Sequence, residues 1–105
     1  MKTLFLITLV ARPRENTDAF RESGGAYVNA WIDAASENQA LEQAQREVRD
    51  AGWTVESVDD VALVQRTDYE EDDPSLEYFD QALLDKEVLV FHTWPVDPQD
   101  DDPVH

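Results

Sequence analysis

The sequence predicts an α+β domain: an antiparallel sheet of four to five strands with two helices packed on one face. Three observations lead there. Residues 27–33 alternate cleanly between apolar and polar positions, as a strand with one buried face does. Two segments, 36–52 and 73–86, carry helix start signals followed by apolar stripes of helical period. The apolar runs at 3–11 and 88–94 end at Pro13 and Pro95, which cannot donate to a ladder.

Residues 3–11 are near-continuously apolar and rich in β-formers, which reads as a strand covered on both faces rather than a secretory leader. The polar stretch 15–25 closes on Gly24-Gly25 and reads as a loop, with room for a short helical turn. In the next strand Val28, Ala30 and Ile32 point one way, and Tyr27, Asn29, Trp31 and Asp33 the other. Ser36 and Gln39 then form a capping box. The helix that follows sets Ala40, Leu41, Ala44, Val48 and Ala51 on one stripe and stops at Gly52. Glu42 and Arg46 stand one turn apart in the favourable orientation.

Residues 53–66 read as β, with Asp59-Asp60 interrupting the run. Their length favours two short strands over one bulged strand. Asp73 as cap and Pro74 at the first helical position start the second helix, whose buried stripe is Leu76, Phe79, Ala82 and Leu83. Val88 to Trp94 is the last strand. The order from residue 26 onward, βαββαβ with one extra strand before it, resembles the ferredoxin-like arrangement at the level of fold only. Residues 1–95 are expected to form the single domain and 96–105 an acidic, mobile tail.

The chain of 105 residues holds 8 Lys and Arg against 24 Asp and Glu, a net charge of −16. Residues 1–50 hold 8 acids and 6 bases (net −2), while residues 51–105 hold 16 acids and 2 bases (net −14). Such a field repels phosphate backbones and anionic headgroups, so direct nucleic-acid and membrane binding are disfavoured and a basic protein partner is favoured. No segment approaches the ~20 apolar residues of a membrane helix, and the absence of cysteine fits a reducing compartment, so a cytoplasmic location is expected. The sequence has no cysteine, so disulfide frameworks, thiolate metal sites and cysteine nucleophiles are excluded.

No catalytic, metal or cofactor motif stands out. The three glycines, Gly24, Gly25 and Gly52, match no phosphate-binding loop, and no serine or threonine sits in a nucleophile elbow. An EF-hand loop begun at Asp68 would need glycine and glutamate where Asp73 and Phe79 stand. The acidic residues Asp68, Glu70, Glu71 and Asp72 therefore read as a charged surface feeding a helix cap. With both helices on one face, the other is left open, carrying Tyr27, Asn29, Trp31, His92 and Trp94. Aromatic residues of this kind are favoured at protein interfaces. The expected function is a non-catalytic interaction domain that binds a protein partner, or itself as a homodimer, through this face. An immunity or antitoxin-type inhibitor of a basic protein is one concrete form. The alternative is a small-molecule-binding or enzymatic dimer, with Tyr27, Trp31 and His92 lining a pocket between two sheet faces.

Overall fold

The computed structural model describes residues 3–15 and 23–95. Its elements are β1 (Thr3–Pro13), β2 (Ser23–Ile32), α1 (Glu37–Asp50), β3 (Trp53–Gln65), a 3-10 turn (Arg66–Asp68), α2 (Pro74–Asp85) and β4 (Glu87–Pro95). The expected acidic tail and the centre of the expected 15–25 loop lie outside the described residues.

The strands form one antiparallel sheet in the order β3-β1-β2-β4, which is not the ferredoxin-like order the sequence suggested. The reason lies in β1. It is the most continuously apolar strand, and it takes an interior position, paired with β2 on one side and β3 on the other. It is no appendage to a βαββαβ core. Residues 53–65 are a single strand, so the described residues show four strands and no fifth. Register shifts between Thr8 and Leu9 and between Val10 and Ala11 absorb the Asp59-Asp60 interruption as bulges in one long ladder.

The two helices do not share a face. Ile7, Leu9 and Ala11 of β1 pack with Val28, Ala30 and Ile32 of β2 beneath Ala40, Ala44 and Val48 of α1. Leu4, Trp31, Phe79 and Ala82 form a second buried cluster, with Leu6, Val88 and Val90 against it, beneath α2. Odd and even positions of a strand face opposite ways, so α1 and α2 sandwich the sheet between them. Below α1, the small Ala11 and Ala26 leave space for Trp53, whose ring reaches Phe91 with centroids 5.6 Å apart.

Local signals fix each helix. Ser36 Oγ accepts the Gln39 N–H at 3.2 Å to start α1. At its end Gly52, with φ of 95°, donates to the Arg49 carbonyl. Asp73 Oδ1 accepts the Ser75 N–H at 2.8 Å, and Pro74 opens α2. Lys86 closes α2 with a left-handed φ of 74°, and its carbonyl accepts the Asp33 N–H at 2.8 Å.

The connections decide how much of each face is covered. β2 and β3 are both antiparallel to β1 and so run the same way; α1 must travel the sheet's length between them. β3 ends, and β4 begins, at one end of the sheet, since Gln65 pairs with Thr3 and Glu87 with Ile32. α2 therefore only crosses the width. Its 12 residues span about 18 Å, close to the ~14 Å of three interstrand spacings. It roofs one end of the second face, and among the described residues no helix covers the other end.

Candidate functional site

The uncovered half of the second face is built in rows across the four strands. One row is Ser57, Val10, Tyr27 and His92; the next is Asp60, Thr8, Asn29 and Val90. Directly opposed residues in an antiparallel ladder share a face, so the alternation of β2 and β4 brings Tyr27, Asn29 and His92 together. Tyr27 is 51% exposed, and His92, Ser57 and Asp60 are exposed as well. Thr8 Oγ1 donates to Asn29 Oδ1 at 3.2 Å, orienting the amide.

Trp94 joins the patch from the end of β4. Its ring leans on Tyr27 with centroids 5.1 Å apart and planes at 53°. The glycines expected to end a loop instead belong to β2, and they seat this indole. A Cβ on Gly25 would fall 2.2 Å from Trp94 Cζ2, and one on Gly24 3.0 Å from its Nε1. Only a residue without a side chain lets the ring lie on the β2 backbone there. The sequence carried this signal in the doublet placed just before the alternating run.

Trp31 lies on the same face but in the covered row, with Leu6 and Val88. It is 2% exposed beneath α2. Its Nε1–H donates to Tyr69 Oη at 2.9 Å, and its ring packs on Tyr78 with centroids 5.4 Å apart. Burial pushes the Tyr69 hydroxyl pKa upward, opposed by the bond from Trp31. Thus Tyr27, Asn29, His92 and Trp94 meet on an accessible surface, while Trp31 serves the core. Thr8 and Val10, which sequence reading did not place in the patch, belong to its floor.

The acidic residues divide by role. Asp68 Oδ2 accepts the Gln65 N–H at 2.8 Å and closes the 3-10 turn, whereas Glu70, Glu71 and Asp72 stand exposed. Arg66 forms a two-pronged pair with Asp80, at 3.1 and 3.3 Å, tying this turn to α2. Its guanidinium pKa is raised by that bond. Among the described residues no three His, Asp or Glu side chains group as metal ligands. His92 and Asp60 lie on opposite edge strands, about 14 Å apart by strand spacing, so they form no acid–base pair. An open depression of about 400 Å³ beside the start of α1, lined by Asp33, Gln39, Glu42 and Arg46 among others, holds none of the patch residues.

What these elements define is an acidic α+β domain with a half-roofed sheet and a small aromatic platform. Among the described residues no helix is long and apolar enough to cross a membrane. Comparison with protein families, characterised proteins and solved structures finds nothing that matches this chain.

Proposed function

We propose that the protein is a non-catalytic interaction domain that binds a protein partner through the uncovered half of its sheet. The observation that carries this reading is the Tyr27–Trp94 pair, seated on Gly25 beside His92 and Asn29 with neither of the described helices above it. Rings already held against a backbone lose little freedom on binding, which is what an anchoring residue requires. The partner is a basic protein, since the net charge of −16 would draw it in and speed encounter. Inhibition of a basic toxin or nuclease by an immunity-type protein is one form this takes.

The test is affinity capture from the native host with the wild type and with Tyr27→Ala, followed by kinetics on the captured protein. Tyr27→Ala should weaken binding by about tenfold or more, the loss typical of an interface anchor. The wild-type association rate should fall steeply as salt rises. A partner held equally well by the variant would remove the aromatic patch from the interface. A salt-independent rate would remove the electrostatic part.

A further inference from the structure

The open half of the sheet is acidic along one side, and the bulges of β3 are the cause. Val55, Val58 and Val61 all pack into the core beneath α1. In a regular strand residues three apart face opposite ways, so this spacing would turn Val58 outward. Each bulge adds one residue and restores the face. The added residues are Glu56 and Asp59, which have no opposite number in β1. Both turn to the open side. Glu56 pairs with Arg12, the neighbour of buried Ala11, and Asp59 Oδ1 accepts the Ser57 hydroxyl at 3.1 Å, in the Tyr27 row. Asp60 follows opposite Thr8.

Two different features therefore stand at opposite sides of one surface. At β2 and β4 are the Tyr27 and Trp94 rings. At β3, about 10 Å away by two strand spacings, are Asp59 and Asp60, both exposed. Val10 and Thr8 of β1 lie between them. The Arg12 guanidinium is committed to Glu56, and among the described residues no Lys or Arg pairs with Asp59 or Asp60.

Resting on the protein-binding role proposed above, we infer that a basic segment of the partner crosses this surface. One arginine stacks on the Tyr27 and Trp94 rings, and a second cationic side chain meets Asp59 and Asp60. Ring chemistry and local charge select that occupant together. A cation is drawn to the electron-rich face of an aromatic ring, most strongly to tryptophan. A guanidinium lies flat on such a ring and still donates from its edge, which a compact ammonium does less well. An anionic group would be repelled by Asp59 and Asp60, and an apolar one would strip them of water without supplying a partner. Arg12 against Glu56 already shows a guanidinium docked on this side of β3.

The probe is the peptide acetyl-Arg-Pro-Pro-Arg-amide, whose polyproline helix repeats every three residues and so holds both arginines on one side, about 9 Å apart. It is titrated at low salt into the isotope-labelled full chain and followed by NMR. The Trp94 indole N–H and the amides of Tyr27, Asp59 and Asp60 should shift together. Replacing both arginines by citrulline, which keeps the shape and removes the charge, should weaken binding by about tenfold or more. Tyr27→Leu should weaken it about fivefold, the scale of one exposed cation–π contact. Asp59→Asn combined with Asp60→Asn should cost a similar factor and flatten the salt dependence, while the amide spectrum checks that the fold is kept. Equal binding of the arginine and citrulline peptides would overturn the inference. So would shifts that bypass Tyr27 and Trp94, a double variant that binds as tightly as the wild type, or no binding of the arginine peptide. Each of these leaves the protein-binding role standing, because Tyr27→Ala against the captured partner decides that separately.

Discussion

The two helices show how one sheet acquires a finished face and an unfinished one. α1 joins two strands that run the same way, so it travels the sheet's length and buries Ala40, Ala44 and Val48 along it. α2 joins strands that meet at one end, so it crosses there and goes no further. The result is visible within β2. Trp31 and Tyr27 point to the same side of the same strand, yet one is 2% exposed and the other 51%. Chain direction, more than hydrophobicity, decided which aromatic became core and which stayed available.

The contrast breaks most completely if the roof is removed. Phe79 is fully buried at the centre of the α2 cluster. Phe79→Ala should cost about 3–5 kcal/mol and lower Tm by well over 10 °C. If the fold survives, Trp31 gains solvent and its fluorescence shifts to the red, so the covered end comes to resemble the open one. A loss below about 1 kcal/mol would mean that α2 does not hold the roof through this ring.

A smaller change sharpens the same contrast. Tyr69→Phe keeps the ring against Phe79 but removes the acceptor for the Trp31 N–H. A buried donor left without a partner costs about 1–3 kcal/mol. Combining it with Trp31→Phe, which removes the donor as well, should recover part of that loss in a double-mutant cycle measured by urea unfolding. Strict additivity of the two changes would show that the bond adds nothing.

Much of this arrangement could be read from the residues, and the limits were physical. Period-two alternation placed Tyr27, Asn29 and Trp31 on one face of β2, and the Ser36 and Asp73 caps set where both helices begin. These signals are local, carried by residues a few positions apart. Which strand lies beside which is set by long-range pairing, and no local pattern shows that β1 sits at the centre. The Asp59-Asp60 interruption suggested a turn because polar pairs often make one. In the sheet, β1 spans the whole of β3, and bulges absorb the mismatch instead. Parity puts Trp31 on the same face as Tyr27, while only the path of α2 assigns its cover.

The smallest expected effect lies on the α1 side, at the seam where that helix meets the start of β4. The pKa of the Glu47 carboxyl is raised, chiefly by the neighbouring charge of Glu87 and by a hydrogen bond to it, then by burial and Asp50; Arg46 opposes the rise. Glu87 also accepts a bond from Gln43 Nε2. A carboxyl whose folded pKa lies above its unfolded one is favoured while protonated. Its contribution is fully present below the unfolded value, and it is lost as pH rises through the folded one. At neutral pH the two carboxylates therefore repel across a mostly solvated contact. Glu47→Gln should raise Tm there by about 1–2 °C, the scale of an exposed charge pair. The gap between variant and wild type should close as pH falls below the ordinary carboxylate range, where Glu47 is protonated in both states. Thermal unfolding of both proteins across that range measures it. A variant gain that persisted undiminished in acid would show that packing, and not repulsion from Glu87, limits this seam.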